Sequence, residues 1–393
     1  MFRKLLVTLA ALALACSTFT PALAAGGGGA PVYAAGSATA IAGQYIVVFK
    51  DGTGRGQKSA ALENARSKGA EVLFVYDAAL NGFAAKLPAQ ALNGLVHNPN
   101  VKYIEADQVM SVDTAQSPAT WGLDRIDQHN LPLNNTYNYT VTGSGVTAYI
   151  IDTGIRMSHT QFGGRASSGY DFVDNDSNAN DCHGHGTHVA GTVGGSTYGV
   201  AKGVTLKAVR VLDCSGSGTN SGVIAGINWV TSNHAAGAKA VANMSLGGSV
   251  STSLDSAVSA SIADGVVYAI AAGNSNRSAC NSSPARVSSA ITVGATTSTD
   301  ARASYSNYGS CLDLFAPGSS ITSSWYSSDT ATNTISGTSM ATPHVAGVAA
   351  LYLQGHTATP QQVRDAIVAA ATSGVVSNRM PGSPNKLLYS LIP

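Results

Sequence analysis

The chain has 393 residues, with 22 Lys+Arg against 21 Asp+Glu, and charged residues make up only 11% of it, well under the roughly 25% of an ordinary soluble domain. That balance leaves no basic excess to neutralise phosphates, which excludes a nucleic-acid binder driven by surface charge. With 44% hydrophobic residues the chain can bury a large core, which argues against disorder, and no apolar run beyond the N-terminus is long enough to span a membrane.

At the N-terminus, Arg3 and Lys4 precede an apolar stretch over 5–15, and Ala22, Leu23 and Ala24 form a small-x-small cleavage pattern. Residues 1–24 are therefore expected to be a secretory signal peptide. The Gly/Ala/Ser-rich stretch 25–43 reads as a linker. From there, 44–49, 72–76, 82–87 and 101–105 are strand-like and 59–68 and 88–97 helical. This β-α-β-β-α-β order over 44–113 predicts a small ferredoxin-like α+β unit.

Beyond about residue 113 the composition shifts to long Ser/Gly/Thr loops between short apolar runs at 146–151, 206–212, 240–244, 266–271, 290–293 and 312–315. The runs are mostly continuous rather than alternating, as in parallel strands covered on both faces. Helical patterns at 186–194, 221–234, 254–264 and 339–353 lie among them. The prediction for 114–393 is an α/β domain, a doubly wound, mostly parallel sheet flanked by helices. There is no internal repeat.

After signal removal four cysteines remain, Cys182, Cys214, Cys280 and Cys311. An even number in a secreted chain suggests disulfides, and four cysteines allow three connectivities. Their separations favour Cys182–Cys214 and Cys280–Cys311, each closing a loop of about 30 residues worth roughly 3–4 kcal/mol. A zinc site is disfavoured because no Cys-x-x-Cys pair exists.

Three segments place a reactive side chain at a strand end or helix start. Asp152 ends a buried apolar run and is followed by Thr153 and Gly154, at the carboxyl edge where open α/β sheets bind ligands. His185 opens His-Gly-Thr-His at a helix start. Ser339, in Gly-Thr-Ser-Met-Ala-Thr-Pro-His, opens another, where free N–H groups favour developing negative charge. Singly, each reads as a cap, a turn or a packing residue. Together they supply the hydroxyl, imidazole and buried carboxylate of nucleophilic acyl transfer.

These motifs, in the order Asp–His–Ser, resemble those of the subtilisin-like serine proteases. The stretches 121–127, 211–213 and 306–309 and the four cysteines are similar to the proteinase K branch, in particular its aqualysin-like bacterial members. The resemblance implies Asp152 as orienter, His185 as general base and acid, Ser339 as nucleophile and Asn274 as the side-chain donor to an oxyanion. His188 and His344 read as packing residues, and His183 is given no role.

By the same resemblance, Gly216, Ser217 and Gly218 face Ser245, Leu246 and Gly247 across an extended peptide, a form of strand addition. Gly247, Ala272 and Gly273 would line the pocket for the residue before the scissile bond. Small uncharged walls there predict a roomy apolar pocket and broad cleavage after aromatic or aliphatic residues. The likeness also implies structural Ca²⁺ at Asp313 with the carbonyls of Ser288 and Ala290. Asp124, Asp127 and Gln128 at helical spacing form a second oxygen cluster, and the loop 174–181 a third.

The ferredoxin-like unit resembles the family's inhibitory propeptide, with a self-cut expected near residues 113–115. The expected protein is thus a secreted serine endopeptidase made as a zymogen, monomeric, with proteins as substrates and its own propeptide as inhibitor. No nucleic acid and no stable membrane insertion are expected, nor any C-terminal extension. An inactive protease-fold binding protein is disfavoured by the intact Asp152, His185, Ser339 and Asn274. An esterase or lipase is disfavoured because Ala341 stands where Gly-x-Ser-x-Gly needs its second glycine, and because the chain order is reversed.

Overall fold

The apolar runs become strands of two separate sheets in the computed structural model, which describes residues 29–35, 40–108 and 114–392. The expected signal peptide lies outside these residues. The chain divides into a smaller unit ending at Ser111 and a larger one from Val112 to Ile392.

The smaller unit runs β1 (Val32–Tyr33), β2 (Ala40–Phe49), α1 (Arg55–Ser67), β3 (Glu71–Tyr76), β4 (Gly82–Lys86), α2 (Ala89–Val96) and β5 (Val101–Gln108). Its sheet order is β1-β5-β2-β4-β3, the expected ferredoxin-like arrangement with one strand added. That strand corrects the reading of 25–43 as a plain linker. Val32 and Tyr33 pair parallel to Ile104 and Glu105, and Val32 packs on the unit's core. The core joins Val47, Phe83 and Ile104 of the sheet to Ala61 and Ala65 of α1 and Leu95 of α2.

The larger unit begins with the pair β6 (Thr114–Gln116) and β7 (Tyr137–Tyr139), separated by a short helix α3 (Trp121–Ile126). Next come β8 (Thr147–Asp152), β9 (Ala166–Asp171), α4 (His185–Gly194), β10 (Thr205–Arg210), α5 (Asn220–Asn233), β11 (Ala240–Met244), α6 (Thr252–Asp264), β12 (Val267–Ala271) and β13 (Ile291–Thr296). The chain closes with β14 (Leu314–Pro317), the hairpin β15 (Ile321–Ser324) and β16 (Thr332–Ile335), α7 (Thr338–Gly355), α8 (Pro360–Ala370), β17 (Thr372–Ser373) and β18 (Lys386–Leu387). Nine strands form one sheet in the order β17-β18-β14-β13-β12-β11-β8-β10-β9, parallel except for β17 against β18. The doubly wound, mostly parallel α/β expectation is met.

The continuous apolar runs are explained by two-sided burial. In β8, Ala148 and Ile150 face a core shared with α4 and α7, while Tyr149 and Ile151 face one shared with α5 and α6. Helix α7 is buried along almost all of its length, which only a helix apolar on every side tolerates. The elements the sequence reading lacked are those with weak apolar signals. Strand β9 is a Ser/Gly-rich edge strand, and α8 declares itself through a capping box, Thr359 with Gln362, and Pro360 at its start.

Candidate active site

Strand β8 lies between β10 and β11, and successive connections leave it towards opposite edges of the sheet, which opens a crevice at its carboxyl end. Asp152 ends the strand there, fully buried. Its Oδ1 accepts the Thr153 N–H at 2.8 Å and lies 2.7 Å from His185 Nδ1. An ionised carboxylate only accepts, so Nδ1 holds the proton and Nε2 is left as a base. Asp152 Oδ2 is buried without a partner.

His185 is the first residue of α4. The next residue must be glycine, because a Cβ on Gly186 would sit 2.0 Å from the Gly154 carbonyl oxygen. The sequence reading left Asp181 in an oxygen-rich loop, but it is buried and fastens this turn. Its Oδ1 accepts from Thr153 Oγ1 and from the N–H groups of His183 and Gly184, each at 2.9 Å. Its Oδ2 accepts from the Thr187 N–H and hydroxyl at 2.8 and 2.6 Å. Thr153 Oγ1 accepts the Gly186 N–H at 2.8 Å, so one carboxylate joins the end of β8 to the start of α4. Asp181 thus accepts five hydrogen bonds in holding this turn.

Burial works against the charged form of His185. The Asp152 charge and hydrogen bond, with Asp181 behind them, outweigh it and hold the imidazole above the ordinary histidine range.

The second half of the site is held in place by neutral hydrogen bonds. Ser339 is the second residue of α7, and its hydroxyl donates to the Ser245 carbonyl at 3.0 Å. The Ser245 hydroxyl returns a bond to the Ser339 carbonyl at 2.8 Å. That carbonyl needs one, because four residues on stands Pro343, which has no N–H to give. After β12, Ala272 and Gly273 lead to Asn274, whose Oδ1 accepts the Thr338 N–H at 2.8 Å and the Thr338 hydroxyl at 2.9 Å. With the oxygen committed, the Nδ2 end remains as donor beside Gly337, where a Cβ would lie 3.3 Å from it.

Asn307 braces this loop from below. Its Nδ2 donates to the Ala272 carbonyl at 2.8 Å, and its Oδ1 accepts from the N–H groups of Ser275 and Arg277 at 3.1 and 3.0 Å. Gly273, at φ +100°, passes so close that a Cβ would meet Asn307 Nδ2 at 2.5 Å.

Two adjoining cavities share the segment 245–248. One, of about 450 Å³, is lined by His185 together with Gly216, Ser217, Gly218, Leu246 and Gly247. The other, of about 270 Å³, is lined by Ser245, Ala272, Gly273, Asn274 and Ser339. The expectation of uncharged walls needs correction, because Arg277 also lines the smaller cavity. Sequence order alone does not reveal that this side chain folds back towards Ser282.

Cys182–Cys214 and Cys280–Cys311 are disulfide-bonded. His188 and His344 are buried, with Nε2 of the first on the Ile321 carbonyl and Nδ1 of the second on the Met340 carbonyl, and burial lowers each to about 4. Among the described residues no group of three or more His, Cys, Asp or Glu side chains is placed to hold a metal ion. Asp313 spends Oδ1 on Arg364, at 2.6 and 3.0 Å, and Oδ2 on the Thr292 N–H, a pairing the expectation of a site with Ser288 and Ala290 did not include. Asp124 accepts the N–H groups of Asn134 and Asn135, and Gln128 donates to the carbonyls of Asn130 and Pro132. Asp127 accepts from Asn138 through Oδ2, while its Oδ1 is buried without a partner. Burial raises the Asp127 carboxyl, and the Asp124 charge adds to the effect.

A paired imidazole and carboxylate at the carboxyl edge of a parallel sheet, with a serine at a helix start lining the adjoining cavity, are the groups that a serine-type hydrolase requires. The subtilase family of peptidases matches residues 143–386, and the peptidase inhibitor I9 family matches residues 44–113. The chain is 57% identical over 396 residues to an extracellular serine proteinase of Thermus sp. (strain Rt41A), covering 96% of each chain. It is 55% identical to the alkaline serine exoprotease A of Vibrio alginolyticus, covering 90% of this chain and 68% of that one. The crystal structure of a cold-adapted subtilisin-like serine proteinase superposes with a TM-score of 0.68 at 62% identity, over 70% of this chain and all of the other. The chain belongs to the subtilase family and is a subtilisin-like serine protease preceded by an I9-type segment. Among the described residues no helix is long and apolar enough to cross a membrane.

Proposed function

We propose that the protein is a secreted serine endopeptidase, made as a self-processing zymogen, with Asp152, His185 and Ser339 as its catalytic residues and Asn274 as oxyanion donor. The observation that carries this reading is the 2.7 Å contact between His185 Nδ1 and Asp152 Oδ1, which commits Nε2 to the role of base.

In the reaction the Ser339 hydroxyl turns from the Ser245 carbonyl to His185 Nε2, gives up its proton and attacks the peptide carbonyl carbon. The charge that develops on the carbonyl oxygen is met by Asn274 Nδ2 and the Ser339 N–H at the start of α7. As the C–N bond breaks, His185 passes its proton to the departing amine, and an acyl ester remains on Ser339. Water, deprotonated by His185, then cleaves the ester and restores the serine. Asp152 stays ionised throughout and stabilises the imidazolium.

The peptide lies extended between Gly216–Gly218 and Ser245–Gly247, where small residues let another backbone approach. Gly247, Ala272 and Gly273 leave room for aromatic and aliphatic side chains before the scissile bond. Residues 44–113, the part matched by the I9 inhibitors, act as the enzyme's own inhibitor until the cut near residues 113–115. The two disulfides suit an oxidising compartment outside the cell. Structural Ca²⁺ belongs to the same proposal. Asp127 Oδ1, buried and unpartnered beside Asp124 and Gln128, is free to ligate an oxygen-seeking cation, whereas at Asp313 an ion joined by the Ser288 and Ala290 carbonyls would compete with Arg364 for Oδ1. Chelator is expected to lower the melting temperature of the mature enzyme, and an unchanged value would remove the calcium claim.

Labelling with a fluorophosphonate, followed by peptide mass mapping, tests the catalytic assignment. One adduct, on the peptide containing Ser339, is expected. No adduct, or an adduct on another serine, would contradict it.

A further inference from the structure

The Arg277 guanidinium is the single charged group lining the cavity that holds Ser339 and Asn274, among the described residues. Its backbone is pinned on both sides: its N–H donates to Asn307 Oδ1, and its carbonyl accepts the Tyr308 N–H, each at 3.0 Å. Its Nη2 donates to Ser282 Oγ at 3.3 Å, and Ser282 is itself buried in the same wall. No carboxylate pairs with this guanidinium among the described residues. Nε and Nη1 therefore keep donors to offer. The remaining lining residues, among them Leu246, Gly247, Ala272, Gly273 and Asn307, are all uncharged and bring no competing charge.

An uncompensated guanidinium in a cavity whose other lining residues are uncharged is a carboxylate receptor, because its forked donors match two oxygens in one plane. We propose that Arg277 makes this enzyme accept glutamate, and less well aspartate, immediately before the scissile bond, alongside the apolar residues that the small walls admit. The two preferences coexist because the Arg277 stem is apolar and the guanidinium is anchored at one nitrogen only, so a neutral side chain can lie against it without burying an unsatisfied charge. This inference rests on the protease reading above and extends it to a substrate class. Because Arg277 is exposed, the attraction is screened by salt on a scale of about 10 Å at 0.1 M, so acceptance of glutamate should weaken as ionic strength rises.

The test uses the mature enzyme and three chromogenic peptides that differ only in the residue before the cleaved bond: Glu, Gln or Phe. Relative to wild type, Arg277→Ala is expected to lower the Glu-to-Gln ratio of kcat/KM by about tenfold, the worth of one hydrogen bond to a charged group. Turnover of the Phe peptide should fall less than that of the Glu peptide, since Phe loses only its contact with the Arg277 stem whereas Glu also loses the charged hydrogen bond. Arg277→Glu should lower the ratio further, because a carboxylate there repels the Glu peptide and not the Gln peptide. An unchanged Glu-to-Gln ratio in both variants, with Phe turnover intact, would overturn the inference and leave the protease reading standing. Equal loss on all three peptides in both variants would assign Arg277 a structural role instead. If the wild type cleaved none of the three peptides and took no fluorophosphonate, the protease reading itself would fall, and this inference with it.

Discussion

The two halves of the active site are built on different physics. The imidazole side relies on buried negative charge, with Asp152 against His185 and Asp181 behind the turn that presents it. The serine side holds Ser245, Asn274, Thr338 and Asn307 in place with neutral hydrogen bonds alone. Charge sets a proton affinity, so errors on the first side should surface in pH profiles and in kcat. Neutral bonds set positions, so errors on the second should surface as poorer stabilisation of the transition state at every pH.

The largest break is expected on the charged side. Asp152→Asn keeps the shape but offers the imidazole a donor where it needs an acceptor, so kcat should fall about 10⁴-fold with KM little changed. Steady-state kinetics on one peptide substrate check this. On the neutral side, Asn274→Ala should lower kcat by about 10²–10³-fold, the range found for the corresponding side-chain donor of subtilisin. Asn307→Ala should lower kcat by about tenfold in the wild-type background but far less in Asn274→Ala, because it acts through the loop that carries Asn274. Multiplying effects in the double variant would show that Asn307 does something else.

A subtler contrast lies in the pH profile. His185 must be neutral to act as a base and is held above the ordinary histidine range, so the acid limb of kcat/KM should lie above that range. Asp181→Asn should move the limb to lower pH by removing one raising charge, whereas Asn307→Ala should leave it in place. Stability gives the smallest effect. His188 and His344 are lowered to about 4 in the fold from an ordinary 6.5. The unfolded chain therefore binds protons first, and stability falls as pH drops from about 6.5 towards 4, by at most about 1.4 kcal/mol per unit for each histidine. Denaturation midpoints at pH 7 and 5 measure it, and equal midpoints would show that neither imidazole is held neutral.

How much of this was legible in the sequence also divides along the two sides. Asp152, His185 and Ser339 announced themselves because Asp152 closes an apolar run ahead of Thr and Gly, while His185 and Ser339 stand among Gly and Thr at the start of helical patterns, signals that mark strand ends and helix starts without any coordinates. Their supports did not. Asp181 looked like one acid in a polar loop because its five donors come from backbone and hydroxyl groups that any sequence contains. Asn307 lay in the stretch 306–309 without a role, since it reaches a loop some thirty residues away only after the sheet has formed. Arg277 was invisible for a different reason, in that its side-chain direction is fixed by Ser282 and not by its own neighbours. The same limit applies to β9, whose Ser/Gly content carries no apolar signal although β10 pairs it along its length.

The central claim, that Ser339 performs the chemistry and the precursor cuts itself, is tested most directly by the intact mass of secreted Ser339→Ala protein from a host without other extracellular proteases. The account predicts a single species that retains the segment matched by the I9 family, against a shortened wild-type product that has lost it. A variant that matures to the wild-type mass would contradict it.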